Sequence, residues 1–355
     1  MKKYPVYQHG FSLVELMVAS LVGLLLSYAV LEIYLAQSQL YKTSNSQDLI
    51  QSTENAIANL VAPVIRAAGF TGCGNVTSAV SNLNPGGPAP LGTINDSPTM
   101  LIGYSGSAAS YTITQENPPN SSNANNWNPA LVSSLVGTVQ PGTDVLIILG
   151  SAPSSVPLGV TTIDPGSSSL TLQSVSGANL SSGQFGAVSD CIKSVLFQIT
   201  GVAGTTLSHD AGTGILQNTA GSFPVNFQAG AQFVQIQQTA FFVGQGQGGQ
   251  SALMRAILNG NSWTVEPLVP GINIMKVQYG IGTNGVVNRY VPANAVTDWT
   301  QVYSLRLGFL IEGKTGSGTS STNQYTVLDT VVTVPTDNRL RHVFELTVHL
   351  RNAIL

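Results

Sequence analysis

From Phe11 to Leu31 the chain is almost wholly apolar, and Glu32 is the residue that ends the run. A helix of about 20 such residues crosses the hydrocarbon core of a bilayer. The run nevertheless holds a carboxylate, Glu15, close to its start. An ionised acid inside hydrocarbon costs ~2.5–3.5 kcal/mol on insertion scales, which makes Glu15 a functional candidate. The alternative is a signal-anchor helix whose acid lies at the interface. Lys2 and Lys3 precede the run, so the N-terminus is expected to stay cytoplasmic.

A secretory signal places its apolar region before a small-residue cleavage site. Here the small residue, Gly10, comes first. A cut between Gly10 and Phe11 would remove a polar leader, residues 1–10, and leave the apolar helix on the mature chain. The stretch Gly10-Phe11-Ser12-Leu13-Val14-Glu15 resembles the class III leader of type IV prepilins. That resemblance implies a prepilin peptidase that cuts after Gly10 and N-methylates Phe11, with Glu15 as the fifth mature residue.

The apolar run does not end in a turn. No Gly or Pro intervenes between Glu32 and Pro63. Ile50, Ile57, Leu60, Val61, Val64, Ile65 and Ala68 recur at three- and four-residue spacing, with polar residues between them. This is an amphipathic helix with one buried stripe. Pro63 should kink or shorten its last turns, and Gly69 suits a helix stop. The expected division is a leader over 1–10, a helix over 11–68 with its membrane part at 11–31, and a head over 69–355. Such a helix is roughly 85 Å long at ~1.5 Å per residue. One helix facing two solvents belongs to a filament subunit or a membrane-anchored stalk.

The head reads as β-rich. Asp144–Gly150, Val195–Thr200, Phe233–Val243, Ile272–Tyr279, Val302–Ile311 and Tyr325–Val334 are expected strands, with turn signals between them. In the last expected strand Phe344, Leu346, Val348 and Leu350 alternate with Glu345, Thr347, His349 and Arg351, so one face is buried and one wet. These faces suit an antiparallel sheet laid on the amphipathic half of the helix, an α+β fold. The Gly-, Ser-, Asn- and Pro-rich stretch between Gly69 and Ser189, above all residues 76–140, is expected to form large loop insertions.

Charge excludes some functions. The formal net charge is −3, and loss of Lys2 and Lys3 would take it to −5. No Lys or Arg occurs from Ala67 to Ile192, so nucleic-acid binding by this half is not expected. The basic concentration at Arg339, Arg341, His342 and Arg351 is expected to be a solvated strand face. Cys73 and Cys191 are the only cysteines. Export would carry both to an oxidising space, where a disulfide persists. Neither has a His or a second thiol at metal spacing, so a disulfide is favoured over a metal site.

Several motifs point nowhere. Gly244-Gln245-Gly246-Gln247-Gly248-Gly249 spells a dinucleotide fingerprint but lacks the following helix and acid, so a hairpin loop is expected. Ser208-His209-Asp210 holds triad residue types, yet adjacent residues cannot form a triad's relay. His9 falls in the leader, and neither His342 nor His349 has partners that suggest catalysis. No enzyme activity, metal or cofactor is expected.

Beyond the leader, the whole chain resembles a PilW-type minor pilin of the type IV pilus. The resemblance rests on Ile65-Arg66-Ala67-Ala68-Gly69-Phe70-Thr71-Gly72-Cys73, Gly142-Thr143-Asp144-Val145-Leu146 and Ser189-Asp190-Cys191. Farther on it rests on Tyr279-Gly280-Ile281, Asn288-Arg289-Tyr290-Val291, Val296-Thr297-Asp298-Trp299 and Arg339-Leu340-Arg341-His342-Val343-Phe344. Where family members often carry an acidic run, this chain has Gly282–Asn288, with too little charge for a Ca²⁺ site. The resemblance implies a type IV pilin-like fold and a minor pilin that primes pilus assembly and sits at or near the tip. Its expected partners are other minor pilins, the major pilin, the prepilin peptidase, the inner-membrane assembly machinery and a tip adhesin. Before assembly it would sit in the inner membrane as a single-pass protein with a periplasmic head, and afterwards in the pilus at the cell surface. In the filament Glu15 would neutralise a neighbour's N-terminal amine. Two other readings stay open: a tip adhesin using the loops at 76–140, and a pseudopilin of a type II secretion system.

Overall fold

The computed structural model describes residues 10, 12–73, 78–92, 99–106, 109–153, 155–164, 166–318 and 323–353. Phe11, Lys2, Lys3 and His9 lie outside the described residues, as does part of the 76–140 stretch. One helix, α1 (Leu13–Arg66), runs straight through Pro63 rather than ending before it. Gly69 follows with φ +76°, a backbone state that favours glycine, and its N–H donates to Leu149 O at 2.8 Å.

Short strands come first: β1 (Val80–Ser81), β2 (Leu101–Tyr104), β3 (Ser110–Thr112) and the buried β4 (Val145–Ser151). Next are β5 (Leu158–Ile163), β6 (Ser169–Leu172), β7 (Phe185–Ser189), β8 (Ser194–Gln198), β9 (Gly201–Ala203) and β10 (Thr206–Ser208). The long strands are β11 (Gln232–Gln245), β12 (Ser251–Asn259), β13 (Ser262–Pro270) and β14 (Ile272–Thr283). The chain closes with β15 (Val286–Val291), β16 (Val302–Thr315), β17 (Gln324–Val327), β18 (Thr330–Thr333) and β19 (Arg339–His349).

Three sheets result. The 12-stranded sheet branches at β11, which pairs with β7 through residues 232–236 and with β12 through 239–245. A four-stranded antiparallel sheet has the order β15-β14-β16-β19, and β17-β18-β3 form a small third sheet. The fold is α+β, with the helix laid mainly on β16 and β19. Pairing is antiparallel except for β1 with β8 and β3 with β18.

The buried stripe of α1 is Ser46, Ile50, Thr53, Ile57, Val61, Ala62, Val64 and Ile65. It joins the main core with Phe309, Leu307, Leu305 and Val348 from the four-stranded sheet. Each such side chain contributes roughly 1.5–3 kcal/mol by leaving water. Gly150 lets the end of the helix come close, because a Cβ there would stand 2.2 Å from Ala67 O.

Three expectations need correction. The expected strand Tyr325–Val334 is a hairpin, β17 and β18, whose turn holds Leu328 at φ +51°; leucine gives no turn signal. The 76–140 stretch is only partly loop. It contributes β2 and β3, and Trp127, Leu131, Leu135 and Val139 are buried against β4, β11 and β12. The indole Nε1 of Trp127 donates to Thr143 O at 2.8 Å, so much of this segment caps the large sheet. Finally, Arg339 and Arg341 do not form a solvated face. Arg341 is buried and donates to Asp337 at 2.9 and 2.5 Å and to Asn273 at 2.8 Å. Arg339 pairs with Glu116 and lies 3.6 Å from Glu312, while His342 and Arg351 are exposed.

Candidate functional site: the anchor helix and its attachment to the head

Ser12 starts the helix. Its Oγ accepts from the Val14 N–H at 3.2 Å, and Glu15 Oε2 accepts from the Ser12 N–H at 2.9 Å. This reciprocal cap satisfies donors that a helix start leaves open. Glu15 is thus held at the first turn, five residues after Gly10, and it is exposed.

The apolar part of α1 has no cover. Leu13, Val14, Leu16, Met17, Leu21, Leu24 and onward to Tyr41 are exposed. Three of its hydroxyls bond within the helix: Ser20 donates to Met17 O at 2.9 Å and Ser27 to Gly23 O at 2.8 Å. Tyr28 Oη donates to Glu32 at 2.7 Å. Internal satisfaction of this kind is what a helix in lipid needs. Among the described residues this is the one helix long and apolar enough to cross a membrane.

The head grips the helix from about Gln39. Gln39 Nε2 donates to Gly316 O and Thr43 Oγ1 to Ser317 O, each at 3.2 Å. The fully buried Ser46 accepts from the Lys314 N–H at 3.1 Å. Farther along, His342 Nδ1 meets Glu54 Oε1 at 2.7 Å across the rim of β19.

Where the helix ends, Cys73 and Cys191 are joined by a disulfide, with Cα atoms 4.6 Å apart and a sequence separation of 118. Cys191 lies in the turn between β7 and β8. The bond therefore ties the segment after α1 to the large sheet. Ser208-His209-Asp210 is no relay: His209 is buried and stacked on Phe223, with ring centroids 4.0 Å apart. Burial pushes its pKa down. Residues 244–249 span the end of β11 and the β11–β12 hairpin connection.

Two buried ionic clusters were not foreseen. Lys276 Nζ lies 2.6 Å from Asp144 Oδ1, and the N–H groups of Gly106 and Val277 donate to the same carboxylate at 2.9 Å. Burial pushes the Asp144 carboxyl up, against Lys276 and these donors. The second cluster is Arg341 with Asp337, Glu312 and Asn273. An acid opening an otherwise apolar strand at Asp144, and a lysine amid the apolar β14, were the available signals. The first cluster ties β14 to the residue just before β4, and the second lies across β14, β16 and β19 with the turn before β19. No group of three or more metal-ligating side chains occurs among the described residues.

Residues 240–352 match the family of type IV pilus-assembly protein W, and residues 6–30 match the prokaryotic N-terminal methylation motif. No curated protein and no solved structure matches the chain.

Proposed function

We propose that this chain, a PilW-type pilin anchored in a membrane and related to the minor pilins of the type IV pilus, primes pilus assembly and ends at or near the tip. The observation that carries this reading is the N-terminal unit: a methylation motif leading into an uncovered apolar helix with Glu15 at its first turn. Such a helix has two dry environments open to it, the bilayer and the packed helices of a filament. Cleavage between Gly10 and Phe11 creates an amine next to Ser12. In a filament that excludes water, Glu15 neutralises the amine of a neighbouring subunit. Loss of one partner from a buried pair of this kind costs ~3–5 kcal/mol. Other minor pilins, the major pilin and the assembly machinery are the partners in this reading, and its role is structural rather than catalytic. The match over 240–352 supports a pilus rather than a secretion pseudopilus.

Two measurements test it. Intact mass of the exported protein should show loss of residues 1–10 and one methyl group on Phe11; a chain retaining Lys2 and Lys3 refutes the pilin processing. Glu15→Ala makes the helix more apolar, so insertion and cleavage should persist, while surface pili fall sharply in number. Wild-type pilus numbers would reduce Glu15 to an interfacial acid.

A further inference from the structure

Two exposed lysines meet where the anchor helix leaves the head. Outside residues 1–10 the chain has four lysines, Lys42, Lys193, Lys276 and Lys314. Lys276 is buried against Asp144. Lys193 stands in the β7–β8 turn, close to the disulfide at the far end of α1, and its Nζ donates to Asn226 O at 3.3 Å. Lys42 and Lys314 are the pair at the membrane end.

The Cα–Cβ bonds of a helix tilt toward its N-terminus, so the Lys42 side chain leans toward the membrane. Its Nζ accordingly lies beside Gly316, where a Cβ would stand 3.8 Å from it. Gly316 O in turn accepts from Gln39, nearly a turn nearer the membrane. Lys314 is exposed at the end of β16, with its N–H bonded to Ser46 Oγ at 3.1 Å. Neither ammonium group has a protein partner among the described residues. Glu116, Glu312 and Asp337, the acids at this end of β16 and β19, are engaged by Arg339 and Arg341. Along α1 the nearest acids to Lys42 are Glu32 and Asp48, about 15 and 9 Å away by helical rise.

Depth brings these lysines to the headgroups. From Leu31 to Gln39 the helix rises about 12 Å. The headgroup layer on each side of the hydrocarbon is about 5–8 Å thick, and charge acts over ~8 Å more at physiological salt. The Gly316 turn is thus within range of lipid phosphates with the hydrocarbon ending at Leu31. Apolar exposure continues past Glu32 through Ile33, Tyr34, Leu35, Leu40 and Tyr41, which draws the helix deeper and the turn closer. Tyr34 and Tyr41 lie seven residues apart, on one helix face, and have the amphipathic rings of an interfacial belt.

We propose that this end of the head is a seat on anionic phospholipid: Lys42 and Lys314 reach the headgroup phosphates, and Tyr34 and Tyr41 set the depth of the helix. The occupant follows from continuity. The helix that carries Lys42 already enters the bilayer, so lipid phosphates are the anions closest to it. The lysines hold the head against the surface while the chain remains in the membrane. This inference rests on the membrane-anchored reading of α1.

The test places the full chain in phosphatidylcholine vesicles with a trace of photoreactive-headgroup lipid, either phosphatidylglycerol or phosphatidylcholine. Mass spectrometry then maps the cross-links. The glycerol lipid should label residues 38–44 and 312–318 in preference to the choline lipid. Lys42→Gln and Lys314→Gln should each reduce that preference about 5-fold. Lys193→Gln should leave it unchanged, and Lys42→Arg with Lys314→Arg should retain it. Salt at about 1 M, where the Debye length is ~3 Å, should abolish it. Equal labelling by the two lipids, or a preference that survives both glutamine substitutions, overturns the proposal. Labelling of these residues by neither lipid overturns it too, since the head then stands clear of the surface. Carbodiimide coupling of Lys42 or Lys314 to an acid of another pilus protein, without any lipid preference in vesicles, would assign the surface to a protein partner instead. Flotation of the vesicles tests the anchor separately. A chain that floats without a lysine-dependent preference removes the lipid seat alone, and a chain that does not float removes the anchor as well.

Discussion

Among single residues, the buried ions carry the sharpest consequences. Lys276 and Asp144 are almost completely enclosed and 2.6 Å apart. Lys276→Met leaves the carboxylate without its counter-ion and should destabilise the head by ~3–5 kcal/mol. Asp144→Asn combined with Lys276→Met should recover a substantial part of that loss in denaturant titrations. Asp337 offers a pH test. Burial raises its carboxyl, but the bonds and charge of Arg341, with the Arg339 N–H, outweigh burial and hold it below the ordinary 3.8. A carboxyl lowered in the folded state contributes stability that is present above its unfolded value and lost as pH falls through the folded one. Acid should therefore erode this contribution below about pH 4, and Asp337→Asn should flatten stability against pH in that window. Glu312, raised by burial ahead of Asn273 and two arginines, acts in the opposite sense. Its contribution diminishes as pH rises above the usual carboxylate range.

At the scale of elements, α1 divides into halves with different solvents. Ile57 is fully buried beneath the head, whereas Leu24 is 72% exposed. Ile57→Ala should lower the stability of the head by ~2–5 kcal/mol. Leu24→Ala should leave it within about 0.5 kcal/mol, when both are unfolded in detergent as full chains. Equal effects would mean that the halves fold as one packed unit. The amphipathic stripe of the second half was readable from spacing alone, and so was the period-two pattern of β19. The β17–β18 turn was not, because Leu328 sits in a conformation that its side chain does not announce.

For the molecule as a whole, the disulfide decides how the parts stay joined. It links the segment just after the helix to the β7–β8 turn across 118 residues of sequence. Chain-entropy estimates give such a loop up to ~5 kcal/mol, with real values often lower. Cys73→Ser should shift the melting transition downward by that order, and treatment of the wild type with reductant should reproduce the shift. No change in either case would show that the helix–head interface of Ile57, Val61 and Ile65 holds the two parts alone.

What the amino-acid order determined by itself is the pattern of the long helix: Gly10 just before an apolar run, Glu15 near the start of that run, and a buried stripe from Ile50 to Ile65. These are local periodicities and local chemistry, and no distant contact is needed to read them. Tertiary structure alone decided the rest. It turned the polar 124–139 segment into a cover for the large sheet by burying Trp127 and Leu135. It drew Arg341 out of water toward Asp337 and Glu312. Strand order, and acids such as Asp144 for Lys276 or Glu116 for Arg339, depend on contacts between segments far apart in the chain, which spacing within the sequence does not encode.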